Sequence, residues 1–169
     1  VPPELRQLLR SMNSYYTNRI EGQHTRPHEI EQALRQDFSS DAKLAARQRL
    51  ALAHIAAEEQ LEQRYQTVAD AATLYSPQAV QGLHHELFGR LPASDLNPTE
   101  GQAAIPGHWR EREVQVGRHI APTHSSLPAF LERWSSFYGS IRRSDAALVG
   151  VAAAHQRLGW IHPFIDGNG

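Results

Sequence analysis

The chain closes on His162-Pro163-Phe164-Ile165-Asp166-Gly167-Asn168-Gly169, and the rest of the sequence reads most simply as a scaffold for this stretch. A histidine, a carboxylate and small residues able to turn their amides inward fall within one loop. His162 can accept a proton near neutral pH, so it suits a general base acting on a hydroxyl nucleophile. Asp166 offers a hard oxygen ligand to Mg²⁺ bridging nucleotide phosphates. Gly167 and Gly169 can take positive φ and carry no Cβ, so Gly167-Asn168-Gly169 can curl into a nest of N–H groups facing an anion. The ordinary alternative is a plain turn, because Asp, Gly and Asn dominate turns.

Working back from the loop, Leu148, Val151, Ala152, His155 and Leu158 repeat at helical spacing behind a Ser144-Asp145 cap. Pro163 disfavours helical geometry at His162, so that helix should end there and release the loop, with Phe164 plugged into the core. Leu127, Phe130, Leu131, Trp134, Phe137 and Tyr138 trace a second helix with an aromatic core face. Ser76-Pro77 reads as a cap with proline at the first helical position, followed by Val80, Leu83 and Leu87. This helix carries His84-His85-Glu86, which invites a zinc reading. Adjacent histidines point about 100° apart on a helix, so they do not converge on a metal as an i, i+4 pair would, and a packed core histidine is favoured.

A long segment from 40 to 65 supplies Leu44, Leu52, Ile55 and Leu61 for a buried stripe, with His54 beside it. Thr25, Pro27 and Glu29 mark a shorter helix through Ile30 and Leu34. Leu5, Leu8, Leu9 and Met12 give a first helix, from Pro3 to Ile20, one apolar face; Glu21-Gly22 ends it. Between Gly89 and Gly107 prolines, glycines and polar residues imply a long loop. After it, Val114 and Val116 alternate with Glu113 and Gln115, the pattern of a short exposed strand in a hairpin near 108–120. An unpaired strand edge there can hold a target segment by main-chain hydrogen bonds.

At 169 residues, 40% hydrophobic and net charge −1, the composition is that of one soluble globular domain with a sizeable core. The absence of cysteine excludes disulfides and thiolate chemistry and fits a reducing, cytoplasmic setting. Neither a membrane span nor a basic nucleic-acid face is evident in the pattern.

HPFIDGNG resembles the signature loop of the Fic family, HPFx(D/E)GNGR, at all eight available positions. The resemblance implies an all-α, mainly helical bundle with one β-hairpin flap. It also implies transfer of AMP from ATP, with Mg²⁺, to a Ser, Thr or Tyr hydroxyl of a target protein. In that scheme His162 is the base, Asp166 the metal ligand, and Gly167, Asn168 and Gly169 the nucleotide cradle. Gly107, Trp109, Arg110, Val114 and Val116 meet the pattern of the family's target-docking flap. Thr17-Asn18-Arg19-Ile20-Glu21-Gly22 resembles the (S/T)xxxE(G/N) inhibitory motif, which makes Thr17, Glu21 and Gly22 a lock. Residues 1–24 would then be the inhibitory segment and 25–169 the core. The motif's next position is an arginine, expected directly after Gly169, so the chain reads as part of a longer protein. Three alternatives stay open: removal of AMP, with Glu21 orienting water; phosphoryl transfer as in the related Doc proteins, whose loop HxFxDANK differs at 167 and 169; and a non-catalytic target-binding module. The resemblance also leaves room for a homodimer.

Overall fold

The computed structural model describes residues 2–20, 22, 24–65, 71–96, 103–141 and 147–168. Its helices are α1 (Pro3–Ile20), α2 (Pro27–Leu34), α3 (Ala42–Tyr65), α4 (Pro77–Phe88), α5 (Leu127–Tyr138) and α6 (Ala147–Ile161). A two-stranded antiparallel hairpin, β1 (Gln115–Val116) and β2 (His119–Ile120), sets Gln115 opposite Ile120 and Val116 opposite His119. This is the mainly helical bundle with one hairpin that the sequence implies. No described helix is long and apolar enough to cross a membrane.

Helix α3 is the spine of one layer, with α1 and α2 on one side and α4 on the other; α5 joins α4 to α6. Its buried face is made largely of Ala45, Ala51, Ala53, Ile55 and Ala57, not the leucine stripe expected. Alanine keeps the helix propensity high and lets neighbouring backbones approach closely. The one buried amide on that face, Gln48, ties the chain before α3 to α2: its Oε1 accepts from Ser39 N at 2.8 Å and its Nε2 donates to Glu29 O at 3.0 Å. Helix α2 starts one residue later than Thr25-Pro27 suggests, on Arg26, whose N–H donates to the Glu29 carboxylate at 2.6 Å. Ser76 caps α4 as expected, accepting from Ala79 N at 3.1 Å.

Helix α1 departs from its sequence pattern. Leu5, Leu8, Leu9 and Met12 face solvent, while Arg6, Arg10, Ser14 and Asn18, spaced every fourth residue, lie against α3. Ser14 Oγ donates to Ala51 O at 3.1 Å, Asn13 donates to Glu58 at 2.9 Å, and Arg10 bridges Glu59 at 3.2 Å and Glu62 at 2.5 Å. The reason lies on α3, which presents alanine and then a run of glutamates to α1. A polar row matches that surface better than leucines do.

Around α5 the core gathers Leu127, Leu131 and Trp134 with Val80, Ala154, Ile161 and Phe164. Trp134 Nε1 donates to Ala154 O at 2.9 Å, so its polar edge is satisfied inside. Phe130 and Phe137, expected in the core, are exposed, as are Leu148, Val149 and Val151 of α6. The Ser144-Asp145 cap expected for α6 lies outside the described residues. Substitution tests which periodic residues carry stability: Leu131→Ala should lower unfolding free energy by about 2–5 kcal/mol. Leu8→Ala, although equally periodic in sequence, should stay within about 0.5 kcal/mol in the same urea titration.

Candidate active site

The site is built where α6 stops. Ile161 is the last helical residue, and His162 takes φ +51°, a left-handed conformation that a residue with a side chain rarely adopts. Its own N–H still closes the last turn on Leu158 O at 3.0 Å. A non-glycine in this region costs roughly 1–2 kcal/mol, so other contacts must hold it.

Arg110 supplies them. Its side chain is buried, and its guanidinium donates to His162 O at 2.7 Å, to Arg112 O at 2.7 Å, to Pro122 O and to Ile161 O at 3.5 Å. Its backbone N–H donates to Pro163 O at 2.9 Å. The carbonyls of Ile161 and His162 are among those that a helix C-terminus leaves unpaired, and a buried cation suits them. Burial pushes the Arg110 pKa below the usual arginine value, with Glu113 pulling the other way.

Asn168 folds back over the loop. Phe164 N–H donates to Asn168 Oδ1 at 2.9 Å, which fixes the amide orientation and leaves Nδ2 to donate to Phe164 O at 3.1 Å and to face His162 Nε2 at 3.1 Å. An amide NH₂ can only donate, so His162 Nε2 holds its lone pair. Burial lowers the His162 pKa, opposed by a hydrogen bond to the Gly159 backbone and reinforced by the charges of Arg110 and His119, with Asp166 acting upward. The imidazole is therefore neutral at neutral pH, the state a base needs.

Gly167 has φ +70°, and a Cβ there would stand 2.2 Å from the Phe88 ring, so both conformation and space demand glycine. Its N–H is taken by the Asp166 carboxylate at 2.7 Å, and Asp166 itself is exposed. Behind the loop His84, 3% exposed, stacks between Phe88 at 4.3 Å and Phe164 at 3.8 Å. Gly107 N–H donates to His84 Nδ1 at 2.9 Å, and His84 Nε2 sits 3.1 Å from Asp166 O.

Pro163, Phe164, Ile165, Asp166, Gly167 and Asn168 form one wall of a cavity of about 960 Å³ between α3, α4 and α6. Thr17 of α1 and the cations Lys43 and Arg47 of α3 line it too. That volume suits a nucleotide-sized ligand. Among the described residues no group of three histidines and carboxylates could hold a metal, so Asp166 could be no more than one of an ion's several oxygen ligands. Gly22 lies exposed at φ +74° beyond α1, whereas Glu21 and Gly169 fall outside the described residues.

The flap residues separate into two groups. Gly107 and Arg110 point inward onto α4 and the end of α6, and Trp109 packs on Phe164 at 4.7 Å. Val116 and Ile120 project outward from the hairpin, 48% and 73% exposed, while Val114 accepts from Ala121 N at 3.2 Å. His119 ties β2 to α6 through Trp160 O at 2.8 Å. The joints made by Gln81, His84 and His119 join segments distant in sequence and leave no local pattern. The Val80, His84, Phe88 spacing, every fourth residue on one buried face, is the signal that could have found His84.

The sequence model of the Fic/DOC family matches residues 74–169. The chain belongs to the Fic/DOC family. Among curated relatives, "Protein adenylyltransferase Fic" of Drosophila ananassae is 36% identical over 88 residues, which is 52% of this chain and 16% of that protein. The Drosophila melanogaster protein of the same name matches at the same identity over the same shares. The aligned stretch thus spans about a sixth of these relatives. A crystal structure of a Fic family protein from Desulfovibrio desulfuricans G20 superposes with a TM-score of 0.68 at 18% identity, over 99% of this chain and 46% of that one. At that identity the likeness establishes the fold.

Burial holds His84, His54 and His162 neutral, with the His84 pKa pushed down to about 4. The unfolded chain takes up these protons near about pH 6.5, before the fold does. The stabilisation is therefore complete above that pH and is lost as pH falls toward the folded values, with His84 accounting for about 3 kcal/mol of the full loss. Urea midpoints at about pH 7.5 and about pH 5 check this: the lower pH should give the lower midpoint.

Proposed function

We propose that the protein is an adenylyltransferase that moves AMP from ATP to a Ser, Thr or Tyr hydroxyl of a target protein. The observation that carries this reading is the His162–Asn168 contact, in which a neutral histidine keeps its Nε2 lone pair beside a residue that lines the nucleotide-sized cavity. The names of the Drosophila relatives point to the same chemistry.

In this reading the target hydroxyl displaces the Asn168 amide and gives its proton to His162 Nε2. The hydroxyl oxygen then bonds to the α-phosphorus of ATP, the bond from that phosphorus to the bridging oxygen breaks, and pyrophosphate leaves. Bound Mg²⁺ supplies neutralisation of the phosphate charge, and Asp166 is the exposed carboxylate suited to hold it. The Gly167 N–H, which donates to the Asp166 carboxylate, is the amide placed to donate to phosphate, and Asp166 would be the residue that holds the ion. Positioning and charge neutralisation carry most of the rate in such transfers. An outer edge of the β1–β2 hairpin would take the target segment by strand addition.

His162→Ala should abolish transfer of label from α-³²P ATP while leaving nucleotide affinity within about threefold, because the base acts on the target. Equal loss of both would make His162 structural. Asp166→Ala should instead weaken Mg²⁺-dependent nucleotide binding.

We also read α1 as inhibitory. Support comes from Thr17, which lines the same cavity as Asp166, and from the motif that continues to Glu21 and Gly22. A carboxylate at that helix end would compete with the terminal phosphate of ATP for cationic partners. Glu21→Gly should then raise target labelling; labelling no higher than wild type, or loss of an AMP-removing activity alone, would sink the inhibitory reading.

A further inference from the structure

Helix α4 grips the start of the flap through Gly107, both of whose main-chain groups are engaged by that helix. Gln81 Nε2 donates to Gly107 O at 3.0 Å, and His84 Nδ1 accepts from Gly107 N–H at 2.9 Å. Gly107 lies so flat on the helix, at φ +76°, that a Cβ would come within 3.1 Å of His85 Cβ and 3.2 Å of Gln81 O. The opposite edge of the His84 ring reaches the signature loop. Because an amide N–H can only donate, Nδ1 must carry the lone pair; Nε2 therefore carries the proton and donates to Asp166 O at 3.1 Å.

We propose that His84 is a positioning residue that couples the target flap to the phosphate-handling loop. One neutral imidazole accepts from the flap anchor and donates to the loop. A flat ring is needed because the slot between Phe88 and Phe164 is only as wide as a stacked aromatic, with interplanar angles of 9° and 10°. No other side chain combines that thickness with an acceptor and a donor on opposite edges. The flap hydrogen bond sets where the target backbone lies, and the Asp166 bond sets where the metal-binding carboxylate and the Gly167 amide lie. The distance between hydroxyl and phosphate is thus fixed through one ring, which is almost wholly buried at the wall of the cavity. A misplacement of about 1 Å between reacting groups costs on the order of a hundredfold in rate.

The inference rests on the adenylyltransferase reading, so its test carries one readout that needs no transfer. His84→Asn places an amide oxygen near the Nδ1 position and keeps the flap bond alone; His84→Gln reaches the Nε2 position and keeps the loop bond alone; His84→Phe keeps the stack and neither bond. Amide hydrogen exchange at Gly107 should speed up about tenfold or more in the Phe and Gln variants and stay near wild type in Asn, whatever the enzyme catalyses. With ATP and target, the Asn variant should raise KM for ATP and spare KM for the target. The Gln variant should do the reverse, and the Phe variant should lower kcat by about tenfold or more. If Phe fails to fold, the Asn and Gln pair decides. Exchange and kinetics within twofold of wild type in the folded variants overturn the proposal. So does a loss shared equally by all three with no KM split, which marks a merely structural histidine. If wild type transfers no AMP while the exchange pattern holds, the adenylyltransferase reading fails, the joint of His84 to the flap stands, and the coupling to the loop is overturned unless the Kd for ATP shows the same split between the Asn and Gln variants.

Discussion

A buried guanidinium pressed against main-chain carbonyls is the constraint on which the site depends. Arg110 sits at the end of α6, and among the described residues no carboxylate is closer to it than Glu113 at 4.0 Å, so its charge is balanced by oxygen dipoles. Removing a cation from water costs several kcal/mol, and only a planar fork with five donors can recover that from carbonyls spread over two segments. The arrangement does three things together. It satisfies the helix end, stitches the residues before the hairpin to the signature loop, and holds His162 in a backbone conformation that a histidine would otherwise leave. Its charge also biases His162 toward the neutral imidazole.

From that joint outward the site is held by side chains gripping backbone. The loop from Pro163 to Asn168 belongs to no strand ladder and no helix, so its amides and carbonyls must find partners individually. Asn168 takes both main-chain groups of Phe164, His84 takes Asp166 O, and Arg110 takes His162 O. Phe164, wedged between His84 and Trp109, fixes the loop's depth. Such a loop can be rigid while one face stays open to the cavity, which a base and its phosphate donors both require.

Much of this was legible in the sequence. The ends of α4 and α6 followed from Ser76-Pro77 and Pro163, because caps and prolines act locally. The wedge position of Phe164 was also readable, since an aromatic between a proline and a glycine turn has few other places to go. The orientation of α1 was not. Periodicity follows leucines, whereas the docked face was decided by glutamates and alanines on α3, a surface that exists only once the helices meet. The same limit explains α6, whose Leu148 and Val151 are regular in sequence yet lie outside the buried cluster. Arg110 was expected in a docking surface because it meets the flap pattern, which says nothing of where its side chain goes. Nothing local announces that four carbonyl oxygens will close over its guanidinium.

The packing of Gly167 on Phe88 has a consequence for how such chains diverge. The glycine in the signature loop is enforced from outside the loop, by a phenyl ring on α4 that fills the volume a side chain would need. Neither position is then free to drift alone. An alanine at 167, as in the Doc-type pattern, has to arrive with a smaller or rotated side chain at 88. A smaller residue at 88 in turn loosens one side of the stack that seats His84. Variation in the motif and variation in a helix that carries no catalytic group should therefore be inherited as a pair.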